Sequence, residues 1–443
     1  MINEFKKRRR QLMRLMGPNS IAILPAAPEA TRNRDVQYLY RPDSDFFYIT
    51  GFAEPEAVAV LIPGRKPAEY VLFCRERDEK KERWSGLRAG QEGAVCDFGA
   101  DDSFPISDLD DILPRMLEQS ERVFYAMGCN LELDRRMSEW INGIRAQQRS
   151  GIEGPLEFVA LDHYLHEMRL YKSAAEIRAM RTAARISAEA HLRVMQGCRP
   201  GLKEYQLEAE FIHECTRQGA RFQAYPAIVG SGMNACVLHY TKNSGPIEDG
   251  DLLLIDAGCE YDYYASDITR TFPVNGRFSE PQRTLYELVL AAQKAAIDKV
   301  RPGNHWNEPH DAAVKVITKG LVKLGLLQGR VAQLIKEEKH KQFYMHRTGH
   351  WLGMDVHDVG SYKVEGEWRL LEPGMVLTIE PGLYIPPNLE GVDPRWWNIG
   401  IRIEDDVLVT RTGCEILSAG APKEIAEIEA LMATPKRGHK IAV

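Results

Sequence analysis

No stretch of the chain approaches the roughly 20 consecutive apolar residues that cross a bilayer, which excludes an integral membrane protein built on helices. The one basic run, Lys6 to Arg10, is followed by Gln11-Leu12-Met13-Arg14-Leu15-Met16, too interrupted for a signal-peptide core, and reads as the solvated face of a first helix. Excess positive charge is also missing. A net charge of -6 and a pI near 6.1 give no field for a phosphate backbone, so nucleic acid is excluded as a partner. The eight cysteines contain no C-x-x-C pair, which removes zinc ribbons and thioredoxin-type redox motifs. Without a signal sequence they read as reduced thiols, and the expected location is the cytoplasm. There is no H-E-x-x-H, because Arg347 follows His346, and Gly230-Ser231-Gly232 is a flexible turn rather than a G-x-S-x-G elbow. Neither a Walker A sequence nor a G-x-G-x-x-G after a strand is present, so nucleotide chemistry has no support.

What is present describes a folded enzyme of two domains. The chain has 443 residues, 44% apolar and 27% charged, more than one typical core absorbs. Residues 17 to 170 alternate short β-like runs (21–24, 57–62, 70–73, 123–125) with helix-like segments at 106–119 and 130–147, which predicts an α/β unit. Ser173-Ala-Ala-Glu176 has the form of a helix capping box before a long Ala-rich amphipathic segment. The predicted domains are therefore 1–172 and 173–443. In the second, helices at 173–196, 202–218, 281–300 and 310–324 are grouped apart from strands at 250–272 and 372–417, an α+β pattern.

An internal correspondence sharpens this reading. Glu248–Gly258 (EDGDLLLIDAG) and Glu372–Gly382 (EPGMVLTIEPG) align without a gap and pair Asp256 with Glu380, each acid ending an apolar run. Two half-domains packed face to face would bring these acids together. Within the first copy, a hairpin with its turn between Tyr261 and Asp262 would set Asp256 directly opposite Asp267, where like charges repel unless a cation lies between them. Near the C-terminus the alternation of Ile401-Arg402-Ile403-Glu404 puts Arg402 and Glu404 on one strand face. His346, His350 and His357 fall within twelve residues of a chain that has only twelve histidines. Four acids and an imidazole make an oxygen-rich set suited to paired divalent ions, with Mn²⁺ or Co²⁺ more natural than a thiolate-loving zinc site.

The order Asp256, Asp267, His350, Glu380, Glu404 resembles the pita-bread metallopeptidases, which include methionine aminopeptidase, prolidase and aminopeptidase P. The resemblance rests on Val237-Leu-His239-Tyr-Thr, Ile255-Asp256-Ala-Gly, Ser266-Asp267-Ile-Thr-Arg-Thr-Phe, Gly349-His350-Trp-Leu-Gly, Asp355-Val-His357-Asp, Ile379-Glu380-Pro-Gly-Leu-Tyr and Gly400-Ile-Arg402-Ile-Glu404-Asp. The stretch from Tyr40 to Phe52 is most similar to bacterial aminopeptidase P. The resemblance implies a smaller α/β domain before a pita-bread fold of pseudo-twofold half-domains. It also implies hydrolysis of the bond between an N-terminal residue and a following proline, on a hydroxide bridging two metal ions. Those ions would be Mn²⁺, with Co²⁺ or Zn²⁺ as alternatives, held by Asp256, Asp267, His350, Glu380 and Glu404.

Carried over in the same way, Glu380 would also shuttle the proton, and His239 and His357 would contact substrate and oxyanion. His346 would line the pocket, Arg402 would orient the acids, and the protein would be a homo-oligomer, dimer or tetramer. Trp84 resembles a position that closes a neighbouring subunit's site, but also reads as an interface or packing residue. Arg347 departs from the family, since many relatives carry glycine there. Three rival readings remain: prolidase, a metal-free enzyme like creatinase, and a catalytically silent binding protein. Retention of all five ligand positions argues against the last two.

Overall fold

The computed structural model describes residues 2–118 and 120–434, so Gln119, the last residue of the predicted helix 106–119, and residues 435–443 lie outside it. The chain separates into two compact units, one running to Met168 and the other starting at Arg169. In the first, six strands form one sheet: β1 (Ser20–Pro25), β2 (Val58–Leu61), β3 (Tyr70–Cys74), β4 (Asp102–Pro105), β5 (Arg122–Tyr125) and β6 (Glu157–Ala160), in the order β4-β3-β2-β1-β5-β6. The β1-β2 and β2-β3 pairs are antiparallel and the other three parallel. β2 and β3 are buried at every residue, which is why they read as unbroken apolar runs. Ile21, Ile23, Val60 and Phe73 pack with Leu113 and Leu117 of α1 (Leu109–Leu117) and Met137 and Ile141 of α2 (Leu131–Ala146).

The second unit opens on α3 (Ala174–Gly197). Ser173 Oγ accepts from the Glu176 amide and Glu176 Oε2 accepts from the Ser173 amide, so the predicted capping box is formed. α4 (Glu204–Arg217), α5 (Glu280–Ile297) and α6 (Glu308–Lys323) follow, the last two with proline in the first turn, where its missing N–H costs nothing. Their apolar faces share one core with the strands, including Ile186, Val194, Phe211, Leu285, Val289 and Ile317. Full burial of each such side chain contributes about 1.5–3 kcal/mol.

The strands form two separate groups that correspond to the internal repeat. β7 (Ile228–Ser231), β8 (Leu252–Asp256) and β11 (Thr269–Pro273) pair antiparallel, β8 in the centre, with the short β9 (Cys259–Tyr261) and β10 (Tyr264–Ala265) extending the β8–β11 hairpin to its turn. In the other half, after β12 (Lys363–Val364) and β13 (Glu367–Trp368), β14 (Val376–Ile379) pairs with β17 (Asp405–Val409), and β15 (Gly382–Ile385) with β16 (Ile399–Arg402). The halves are stitched where β11 meets residues 402–404: Thr271 Oγ1 donates to Arg402 O at 2.9 Å and the Glu404 amide to Thr269 O at 3.1 Å.

α3 also holds the end of β8. His191, fully buried, sits with Nε2 3.0 Å from Ala257 O, one residue beyond Asp256. Burial, reinforced by the Arg270 charge, pushes this imidazole from 6.5 down to about 3. Its folded pKa lies below its unfolded one, so stability is complete above the unfolded value and falls with pH between about 6.5 and 3, where only the unfolded chain takes the proton. At pH 5 the loss from this one group is about 2 kcal/mol. The expected result is that His191→Asn shrinks the difference in unfolding free energy between pH 7 and pH 5, measured by urea titration. An undiminished difference would remove His191 as its source.

Candidate active site

One cavity of about 750 Å³ in the second unit is lined by all nine side chains singled out in the sequence: His239, Asp256, Asp267, His346, His350, His357, Glu380, Arg402 and Glu404. Asp256 ends β8, Asp267 lies just before β11, and Glu380 follows β14. Glu404 fills the step between β16 and β17. The β14–β17 register pairs Ile379 with Asp405, so one further step sets Glu380 opposite Glu404.

The first hairpin departs from the predicted register. Asp256 faces Thr269, not Asp267, because the turn is centred between Asp262 and Tyr263, one position later than expected. Both turn residues have positive φ, 50° and 67°, as a two-residue hairpin turn of the I′ kind requires, and neither is the glycine or asparagine that marks such a turn in a sequence. The slip in pairing is two residues, so the face is preserved, and Asp256 and Asp267 become diagonal neighbours. The Tyr225 hydroxyl joins them, 2.6 Å from Asp256 Oδ1 and 2.5 Å from Asp267 Oδ1. Gly258 is needed here: a Cβ would sit 1.8 Å from Ser266 O, where the two chains close on each other.

His350 is aimed by its backbone neighbour. Its Nδ1 lies 2.9 Å from Trp351 O, so that nitrogen carries a hydrogen and Nε2 is the atom turned to the cavity, 3.3 Å from Asp267 Oδ2 and 3.7 Å from Glu380 Oε1. Arg402 spans three partners: Asp256 Oδ2 at 2.6 Å, the Tyr384 hydroxyl at 2.9 Å and Thr269 Oγ1 at 3.1 Å. Thr269 donates to Glu404 Oε2 at 2.6 Å, and His346 Nε2 lies 2.8 Å from the Tyr384 hydroxyl. Behind Glu404, the fully buried Arg270 donates to the carbonyl of Thr269, to the carbonyls of Ala421 and Pro422, and to Asp405 Oδ1, and it also binds the carbonyl of Glu404.

Charge balance shows what the site can hold. Among the described residues, Arg402 is the only guanidinium or ammonium bonded to any of the four carboxylates. Burial, then the neighbouring carboxylates, drives Glu404 well above the usual range, and burial lifts Glu380 to about 7 against the pull of His350 and Arg402. Burial also raises Asp256, against the pull of Arg402. For Asp267 the hydrogen bond and charge of His350 outweigh burial and hold it low. The same pairing, with Glu380, outweighs burial at His350 and lifts it to about 9. With protons as the only counter-charge, this cluster stays partly neutral; divalent cations would let every acid ionise. Asp267, His350 and Glu404 offer ligand atoms within 4.8 Å of one another, and the oxygen-rich donor set fits hard or borderline divalent ions.

Sequence reasoning missed Tyr225, Thr269 and the aromatic wall of Trp306, Tyr362 and Trp368 that lines the same cavity. Tyr384 ends a quoted motif without having been given a role, whereas Tyr225 sits in Gln223-Ala-Tyr-Pro226 and carries no spacing that would mark it.

Comparison with known proteins follows the same lines. Residues 178–411 match metallopeptidase family M24, and residues 5–125 match the aminopeptidase P N-terminal domain. The chain is 47% identical over 435 residues to the Xaa-Pro aminopeptidase of Escherichia coli, covering 98% of each. It is similar to the structure of Pseudomonas aeruginosa aminopeptidase PepP, with TM-score 0.97, 62% identity and 98% of each chain covered. A variant of Escherichia coli aminopeptidase P in complex with substrate has TM-score 0.94 and 47% identity, over 97% of this chain and 98% of that one.

Proposed function

The chain belongs to metallopeptidase family M24, and from that membership we infer a metallo-aminopeptidase that hydrolyses the bond between an N-terminal residue and a following proline. The N-terminal aminopeptidase P domain and the Xaa-Pro aminopeptidases among its relatives favour this over the prolidase reading. The observation that carries it is the convergence of three buried carboxylates, the part-buried Glu380 and His350 on one cavity. Asp256, Asp267, His350, Glu380 and Glu404 would hold a pair of divalent ions, Asp267 and Glu404 serving both. Mn²⁺ is the proposed occupant, with Co²⁺ or Zn²⁺ as alternatives. When bound, such ions acidify water and polarise the scissile carbonyl.

The rest is the work of side chains. Glu380 takes the proton released by the attacking water and returns it to the proline nitrogen, which must be protonated to leave because the amide anion is too basic to be expelled. His239 and His357 donate to the substrate carbonyl as it gains negative charge. Arg402 fixes Asp256, and through Tyr384 it also sets His346. We assign the protein to the cytoplasm on its eight free thiols. A homo-oligomer, dimer or tetramer, is supported by the helix Glu79–Ser85, which buries none of its residues and leaves Trp84 93% exposed.

Protein reconstituted with Mn²⁺ is expected to bind two equivalents of metal and to release the first residue of Xaa-Pro-Xaa peptides faster than it splits Xaa-Pro dipeptides. Equal cleavage of Xaa-Ala-Xaa, followed by chromatography of the products, would overturn the proline requirement.

A further inference from the structure

The cavity lining carries both signs of charge. Besides the four acids it includes two cations, Arg347 and Lys363, which the site as described does not use. Both are exposed, and neither forms an ion pair with any described residue, although Glu365 and Glu367 share the hairpin of Lys363. Both lie against Trp368: the Arg347 guanidinium carbon is 5.1 Å and Lys363 Nζ 4.7 Å from the ring centroid.

Their support is rigid. β12 and β13 pair Lys363 with Trp368 across a tight turn at Glu365-Gly366, both at positive φ. The strand end beyond Trp368 is fastened to the loop before α6, the Leu371 amide donating to Asn304 O at 2.8 Å and the Trp306 amide to Arg369 O at 2.9 Å. Trp368 O itself lies 2.7 Å from His305 Nδ1. Two like charges thus lie against one ring with no ion-pair partner among the described residues, an arrangement that an arriving negative group relieves.

We propose that Arg347, Lys363 and Trp368 form a subsite for a carboxylate carried by the peptide beyond its proline, either the free C-terminus of a short substrate or an Asp or Glu side chain. The proposal rests on the Xaa-Pro aminopeptidase reading and deepens it. The peptide's α-ammonium belongs beside the acids, and the same two cations that would repel it attract the opposite end. The aromatic wall of Trp306, Tyr362 and Trp368 gives the intervening residues an apolar surface.

The test compares Xaa-Pro-Ala as free acid and as C-terminal amide, and Xaa-Pro-Asp-amide with Xaa-Pro-Ala-amide, at low ionic strength. Two exposed cations should lower KM for an anionic peptide by about fivefold, an advantage that shrinks with added salt. The first pair reports the chain terminus and the second the side chain, so the arm that discriminates identifies the source. In Arg347→Ala/Lys363→Ala the ratio should approach one, and in Lys363→Glu it should invert in favour of the amide. Lack of discrimination in both arms of the wild type, or full discrimination in the double variant, would overturn the subsite. Failure of the wild type to cleave any of these peptides, amides included, would instead overturn the peptidase reading.

Discussion

Asp267→Asn is expected to lower kcat on Xaa-Pro-Xaa peptides on the order of 10³-fold, about 4 kcal/mol of barrier, while the protein stays folded. The substitution is nearly isosteric. An asparagine can still meet the Tyr225 hydroxyl, and the backbone amide at 267 keeps its 3.1 Å bond to Asp406 Oδ1. What disappears is a negative charge 3.3 Å from His350 Nε2, at the position proposed to be shared by both ions. An amide has one acceptor oxygen where the carboxylate has two, so it cannot bridge cations in the same way. Metal content measured on the purified variant should fall below two equivalents, with an unchanged circular dichroism spectrum. A fully active variant, or one that keeps both ions, would end the bridging role.

The second large effect concerns stability. Asp358 and Lys172 form an ion pair at 2.9 Å in which each side chain is 1% exposed, and Arg169, 3% exposed, reaches the other carboxylate oxygen at 2.7 Å. Removing the acid strands the Lys172 ammonium in an interior that cannot solvate it, and a broken buried pair of this kind costs about 3–5 kcal/mol. Asp358→Ala should therefore lower the unfolding free energy by that amount. Tryptophan fluorescence in urea reads it well, because five of the seven tryptophans lie in this unit. Pairing the change with Lys172→Met should return much of the loss, since the unmatched charge goes with its partner. A single variant within about 1 kcal/mol of the parent would show that water reaches the pair. Asp358 adjoins His357, so the same clamp steadies the loop that brings this imidazole to the cavity.

The parts of the site that were legible in the sequence are those with a local signature. An acid that closes an apolar run, as at Asp256 and Glu380, and three histidines in twelve residues stand out in one dimension. So do the capping box at Ser173 and the fully buried strands β2 and β3, where every residue answers to the same environment. The hairpin register was not legible, since Tyr263 follows Asp262 into the left-handed region, which a tyrosine does not advertise. Tyr225 was hidden for a different reason. Its meaning comes only from the two carboxylates it meets, 31 and 42 residues away. The Arg270 network was equally invisible, because its acceptors are mostly backbone carbonyls, which leave no trace in the identity of the residues that own them.

That network sets how little of the chain can be dispensed with. The last residue proposed to touch metal is Glu404, yet Asp405 accepts from Ser418 Oγ at 2.7 Å and pairs with Lys423, while Arg270 leans on the carbonyls of Ala421 and Pro422. A polypeptide cut just after β17 would still spell every proposed ligand in order. It would nevertheless lack the strap that cinches the two halves shut, so for protein engineers the smallest working module ends beyond Lys423.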